Sequence, residues 1–408
     1  MLQTDICIIG AGPAGATTSL FLSKMQIPHI IVDASVFPRD KICGDALDLK
    51  VMRILNCLEN DFVKNEILHN HNFSKTYGVK INISENKKPL LQYKPKPNEH
   101  QFPYFFFSKR RYFDNFLAER IPSKYATFLQ GTKVEKIEHT EEGKIIYTNN
   151  VKEANKIKAK LIVGADGDHS VVLRSLGERS VNREHYAGGL RQYWKGIEGI
   201  SSEDNFLELY LPKSLPLAYL WIFPLPNGEA NVGCGLLSSL IQKNNVNLKN
   251  LLQDIITKDP VLAYRFRNAV PLEKPMGWGL PMATLKRKAS GNGWLLTGDA
   301  ASLINPLTGE GIGPGMMSGY IAAHFIQRAV KQNNFSEKLF KNYDREINRR
   351  LEKSITNFNL IKKVSPLIYN FFINVVAPHP LCRLYFQRNV GKWIKTAYDN
   401  KPIKIKFD

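Results

Sequence analysis

The sequence predicts an α/β protein in which a Rossmann-type nucleotide-binding domain is assembled from three stretches and interrupted by a mixed β-sheet domain. Three observations carry this. Short apolar runs ending in glycine turns occur near residues 5, 161 and 294, the pattern of strands buried on both faces of a parallel sheet. The segments between them are strand-rich with aromatic and Gly/Pro punctuation. After about residue 330 the chain turns helical and basic. These changes divide the chain into a nucleotide-binding domain (1–72, 108–178 and 287–330), an inserted substrate domain (73–107 and 179–286) and a C-terminal helical region (331–408).

In order along the chain, residues 5–9 (DICII) read as a buried strand, 14–25 as a helix of small and apolar residues, and 27–32 as a second buried strand ending at Asp33. This is a βαβ unit. A loop rich in Pro, Arg, Cys and Gly follows, then a helical stretch to about residue 60. Residues 73–107 are strand-like and aromatic, and 110–120 form a helix. Alternating strands with a turn at Glu142–Gly143 lead to a buried strand at 161–163. Residues 180–285 are mostly strands with one helix near 246–266. The strand at 294–297 precedes a glycine-rich turn and a helix over 313–331. Cys7, in the middle of the first strand, is core.

At 408 residues the chain is long enough for a large core. Its surplus of 56 Lys+Arg over 37 Asp+Glu, a net charge of +19, favours anionic partners or reflects a basic surface. With no basic helix interleaved with aromatics and no zinc-finger spacing, nucleic acid is not the expected ligand. Five widely spaced cysteines without a C-x-x-C pair argue against a disulfide scaffold or a metal site and fit a reducing cytoplasm. No signal peptide and no spanning helix are expected.

Gly10-Ala11-Gly12-Pro13-Ala14-Gly15 matches G-x-G-x-x-G in the required setting: after a strand, opening a helix, with an acidic residue ending the next strand. Gly10 permits the tight turn, Gly12 lets backbone approach a pyrophosphate, and Gly15 lets the helix pack on the strand. The helix start presents free N–H groups to phosphates, and Asp33 is placed to accept from ribose hydroxyls. Two later turns select FAD over NAD. One is Gly164-Ala165-Asp166-Gly167. In the other, Asp299 closes a strand where it meets a ribityl hydroxyl, and the N–H groups of Gly311 and Ile312 begin a helix aimed at the flavin N1–C2=O edge.

Together GAGPAG, Asp33, GADG and GDA…GEGIG resemble the p-hydroxybenzoate-hydroxylase-like flavoproteins over the chain to about residue 330. The resemblance places flavin contacts at Gly12, Ala14, Asp33, Asp299, Gly311 and Ile312. It adds Arg110, in the R-x-x-F-D-x-x-L pattern, at the FAD phosphates or ribose, and links Asp166 to FAD and nicotinamide binding. Such proteins lack a separate NAD(P)H domain, and no second G-x-G-x-x-G occurs here. Reducing equivalents are therefore expected from NAD(P)H or a small electron-carrier protein, transiently bound.

Within that class, FPRDKICGDA (37–46) and Y-x-W-x-F-P (219–224), followed by N-V-G-C-G (231–235), look like the geranylgeranyl reductase family. By that resemblance Cys43 and Gly44 lie close to the isoalloxazine as catalytic residues, and Tyr219, Trp221 and Phe223 line a cavity for a hydrophobic isoprenoid or polyene substrate. Arg39 joins the cofactor set, and Arg39 or Lys41, if near in space, would lower the Cys43 pKa. The expected reaction is reduction of carbon–carbon double bonds by hydride from reduced flavin. The alternative is a monooxygenase of the aromatic hydroxylase type. Flavin-dependent halogenases fit less well, since they carry a second tryptophan in this strand and Gly-Glu-Ser in place of Cys-Gly-Asp.

In the tail, residues 367–376 (LIYNFFINVV) are apolar on most faces but stop at Pro378 and Pro380, too short to span a bilayer. Flanked by Lys362, Lys363, Arg383 and Arg388, they suit either a cap on the core or peripheral contact with an anionic membrane.

Overall fold

The computed structural model describes residues 1–84, 89–94, 103–178, 181–200, 205–213, 215–397 and 403–407. Strand β1 (Leu2–Ile9) becomes fully buried from Ile6 onward, where its apolar run begins. It pairs in parallel with β2 (His29–Val32) on one side and with Lys156–Gly164 on the other. The sheet runs Ser290–Gly291, Trp294–Leu296, Lys156–Gly164, β1, β2, Ala126–Leu129. An antiparallel hairpin, Val134–Thr140 with Gly143–Thr148, is added onto Lys156–Gly164.

Register does the assembling. Ile9 stands opposite Val32 and Gly164, and Gly164 opposite Leu296. The residues that follow these strand ends (Gly10, Asp33, Ala165 and Thr297) therefore meet along one edge, although they are far apart in the chain. This is the carboxyl edge, where open α/β sheets bind ligands.

Helix α1 (Pro13–Lys24) is buried almost all round and packs against the long helix Ile312–Gln332. The contact needs glycine. A Cβ on Gly319 would stand 2.3 Å from the Ala14 carbonyl oxygen; Gly15 instead lets α1 sit on its own turn, where a Cβ would stand 1.9 Å from the Gly10 oxygen.

The inserted domain is a second sheet: Val270–Pro271, Tyr186–Lys195, Glu229–Leu237, Tyr219–Pro224, Phe206–Leu211, Gly78–Ile83, Leu91–Tyr93, with Met276–Pro281 also on Tyr186–Lys195. It is mixed, since Phe206–Leu211 and Gly78–Ile83 run parallel. Leu220, Ile222, Val232 and Cys234 face a core closed by Leu252, Ile256 and Phe266. The covering helix expected near 246–266 is two helices, Leu248–Lys258 and Pro260–Phe266. The break has a local cause: Pro260 disfavours helical backbone at Asp259, and Asp259 caps the second helix by accepting from Val261 and Leu262 N–H. A small third sheet joins Ala46–Leu47, Phe105–Phe107 and Ser74–Thr76, so part of the aromatic 73–107 stretch pairs with the loop after β2 and not with the large sheet. The C-terminal region is helical over Glu337–Arg349, Glu352–Lys362, Pro366–Phe371 and Pro380–Ala397. Cys7 is fully buried, as expected.

Gly319→Ala is expected to lower the unfolding free energy by about 1–3 kcal/mol by overpacking this helix crossing, measured by urea denaturation.

Candidate active site

A cavity of about 1050 Å³ lies between the carboxyl edge of the first sheet and the inner face of the second. Fifteen of the sixteen site residues expected from sequence line it: Gly10, Gly12, Ala14, Asp33, Arg39, Cys43, Gly44, Arg110, Asp166, Tyr219, Trp221, Phe223, Asp299, Gly311 and Ile312. Gly15 does not. It is buried one turn along α1 with its hypothetical Cβ against the Gly10 oxygen, so its work is helix packing and it makes no wall of the cavity.

One end of the cavity suits a dinucleotide. Helix α1 starts at Gly12 and the long helix at Gly311, both without a side-chain cap. Both starts line the cavity, leaving free N–H groups for an anion or a polarised carbonyl. A Cβ on Gly12 would lie 3.5 Å from Arg39 Nη2, so that guanidinium stands over the turn. Asp33 is held by Ala11 N–H at 2.7 Å and Ser35 N–H at 2.8 Å, which orients the carboxylate at the strand end. Asp166 accepts from Val171 N–H at 2.6 Å and leaves its Oδ1 buried without a partner. Burial pushes the Asp166 and Asp299 carboxyls up, and Lys41, its Nζ 3.5 Å from the centre of the Trp278 ring, is lowered to about 8 by burial. Two uncapped helix starts, an open Gly12 and an orphaned buried carboxylate oxygen together fit a bound FAD.

Arg39 and Arg110 share one counter-charge. The carboxylate of Asp114 accepts from Arg110 Nε at 2.6 Å and Nη2 at 2.7 Å, and from Arg39 Nη1 at 2.7 Å. Asp114 is wholly buried. Two cations on one anion leave a net positive wall, as a pyrophosphate or ribose-phosphate site needs.

The cysteine loop differs from its expectation. Arg110, which sequence spacing did not suggest, is the leading cation that lowers the Cys43 thiol, and Lys41 also lies near enough to interact with it. Burial nonetheless dominates and pushes the thiol up, so Cys43 keeps its proton at neutral pH and is not an activated thiolate. The loop is pinned to the second sheet by Asn231. Its Nδ2 donates to the Cys43 carbonyl at 2.7 Å and to Asp45 Oδ2 at 2.8 Å, while its Oδ1 accepts from Trp221 Nε1 at 2.8 Å. Asp45 Oδ2 also accepts from Tyr193 O–H at 2.8 Å.

Tyr219, Trp221 and Phe223 form a ladder on the cavity face of their strand. Ring centroids are 5.8 Å apart from Tyr219 to Trp221 and 6.1 Å from Trp221 to Phe223, while Leu220 and Ile222 between them face the domain core. Leu207, Leu209 and Leu211 extend the apolar wall, and Phe358, Ile361, Tyr369 and Ile373 from the C-terminal helices close it. Sequence reasoning missed Asp45, Asp114, Asn231 and this C-terminal contribution. The first three sit inside motifs already singled out (FPRDKICGDA, R-x-x-F-D-x-x-L and N-V-G-C-G), where spacing alone assigns no role.

Residues 3–199 match the FAD binding domain family and residues 190–274 the geranylgeranyl reductase catalytic domain. A digeranylgeranylglycerophospholipid reductase of Methanosphaera stadtmanae is 27% identical over 377 residues, 91% of this chain and 86% of that protein. A menaquinone reductase of Mycobacterium tuberculosis is 26% identical over 377 residues, 90% of this chain and 87% of that protein. Among solved structures, a geranylgeranyl bacteriochlorophyll reductase-like protein of Thermoplasma acidophilum superposes with a TM-score of 0.77 at 22% identity, over 97% of this chain and all of that one. The flavin-dependent halogenase CmlS superposes at 0.70 and 18% identity, over 98% and 72%. These last two likenesses show a shared fold.

Asp114→Ala leaves two arginines without their buried partner. It is expected to cost about 3–5 kcal/mol of stability and to weaken FAD binding, read by urea denaturation and by flavin fluorescence titration.

Proposed function

Taking the chain as a member of the geranylgeranyl reductase family of FAD-dependent oxidoreductases, to which its two matched regions assign it, we propose that it reduces carbon–carbon double bonds of a polyprenyl lipid. The observation that carries this is the cavity: a dinucleotide end and an aromatic, aliphatic limb meet at the Cys43–Gly44 loop with no wall between them. Bound FAD supplies a hydride there. Gly10, Gly12, Ala14, Asp33, Arg39, Arg110, Asp166 and Asp299 bind the cofactor, and the helix start at Gly311 and Ile312 stabilises negative charge on it. Tyr219, Trp221 and Phe223 orient the prenyl chain and exclude water, and Cys43 and Gly44 form the floor beside the reacting carbons. An aromatic hydroxylase is not favoured, because residues 190–274 match the reductase catalytic domain. Reducing equivalents enter from NAD(P)H or a small electron carrier, which rapid mixing of the oxidised holoenzyme with each donor separates.

The lipid enters from a membrane surface. Among the described residues no helix is long and apolar enough to cross one. The C-terminal helices, however, have two apolar faces. Phe358, Tyr369 and Ile373 line the cavity, while Leu367 is 82% exposed, Phe371 60% and Leu381 70%, near exposed Lys363 and Arg388. An apolar face rimmed by cations suits the interface of an anionic bilayer.

The deciding measurement mixes anaerobically reduced holoenzyme with a geranylgeranylated phospholipid. Flavin reoxidation with gain of hydrogen mass in the lipid is expected; no reoxidation by the alkene, with rapid reoxidation by oxygen to a flavin hydroperoxide, would refute the reading. Phe223→Ala is expected to raise KM for the lipid by about 10-fold or more, from loss of about 1.5–3 kcal/mol of aromatic burial, with kcat little changed. The full chain is expected to cosediment with anionic vesicles and the L367D/F371D/L381D variant is not; equal behaviour of the two removes the membrane contact.

A further inference from the structure

We infer that Asp45 is the proton donor of the reduction, delivering its carboxyl proton to the alkene carbon that does not receive the hydride. This deepens the reductase reading and rests on it.

Delivery of hydride alone leaves a carbanion equivalent, so the second carbon needs a proton from a group inside a dry, apolar cavity. Asp45 follows Cys43 and Gly44 directly, lines the cavity and has no solvent exposure. Its backbone is left-handed, with φ +65°, a region that aspartate tolerates better than most residues and that turns its side chain toward the second sheet. There Oδ2 is fixed by Tyr193 O–H and Asn231 Nδ2. Oδ1 is buried and has no hydrogen-bond partner. A buried carboxyl with one oxygen doubly held and the other unengaged is set to hold a proton on the free oxygen until a reacting atom takes it.

The charged and titratable groups facing it come from several elements. Arg191 lies on the same strand as Tyr193, its Cζ 3.9 Å from the centre of the Tyr193 ring, and is paired with Asp40 and Glu273. Lys109 Nζ is 4.6 Å from that ring centre. Arg110 and the Cys43 thiol lie on its own side. The two guanidinium charges and the two hydrogen bonds favour the carboxylate, but burial outweighs them and brings the group to about 6.

The step balances. The alkene accepts a hydride from reduced flavin at one carbon and the Asp45 proton at the other. Its π bond breaks, two C–H bonds form, and the N–H bond of the hydride donor and the Asp45 O–H bond break. Flavin is left oxidised, and the carboxylate regains its proton from solvent.

The test compares full-length wild type with Asp45→Asn and Tyr193→Phe. In wild type, alkene-dependent reoxidation of reduced flavin should slow as pH rises through the Asp45 titration, because the protonated form is the donor. D45N should lose about 100-fold or more and show no such limb, while binding FAD with unchanged affinity. Y193F removes a donor to the carboxylate, which disfavours ionisation, and should move the limb to higher pH. An infrared carboxylic-acid C=O band that titrates near pH 6 and is absent from D45N reports the proton independently of turnover. D45N reoxidising at the wild-type rate with the same pH profile, or no such band, would overturn the proposal. Should D45N fail to fold, an unmoved limb in Y193F overturns it as well. If no alkene reoxidises wild-type flavin, the reductase reading itself fails, while the infrared band still tests where the proton sits.

Discussion

The site depends on a backbone condition: two helices must begin, without side-chain caps, at one edge of one sheet. A helix start carries unpaired N–H groups, and leaving them uncapped is tolerable only where water or a ligand takes their place. Both Gly12 and Gly311 are such starts. They converge because β1, Lys156–Gly164 and Trp294–Leu296 are in register at Ile9, Gly164 and Leu296, and because Gly15 and Gly319 let their helices sit against backbone. The glycines at 10–15 thus have two separate duties. Gly10 and Gly12 shape the ligand edge, and Gly15 holds the helix that presents it.

The second sheet is joined to this edge through polar groups. Asn231 grips both the Cys43 carbonyl and the Asp45 carboxyl while bonded to Trp221. One side chain therefore couples the loop of the nucleotide-binding domain to the aromatic ladder of the inserted domain. Asp114 has a matching role at the dinucleotide end, fixing Arg39 and Arg110, which stand 71 positions apart in the chain. Buried polar networks of this kind position groups more than they stabilise a fold. That is the requirement of a cavity whose parts come from distant stretches of chain.

Much of this is legible in the sequence. Buried strand–glycine–helix units near residues 5, 161 and 294 have a strong local signal, and strand alternation in 219–224 assigns Tyr219, Trp221 and Phe223 to one face. What sequence does not carry is which charge meets which group. Arg39 and Lys41 are neighbours of Cys43 in the chain, yet the leading cation acting on the thiol is the distant Arg110, and burial outweighs every nearby cation. Local spacing likewise merges 246–266 into one helix until Pro260 is weighed against it. Gly15 belongs to the motif but not to the cavity wall, because a motif records which residues occur together and not which of them touch the ligand.

The C-terminal helices show the same limit and connect fold to substrate. Residues 367–376 are apolar on more faces than one packed helix uses, an excess that pattern alone leaves as either core or membrane contact. In the fold one face closes the cavity and the other stays exposed, as the proposed membrane contact requires. A water-soluble substrate would give no reason to keep large side chains such as Phe371 and Leu381 exposed, since exposed apolar surface invites association. The proposed lipid substrate would, because its tail would then pass from bilayer to cavity along a wall that is apolar on both sides.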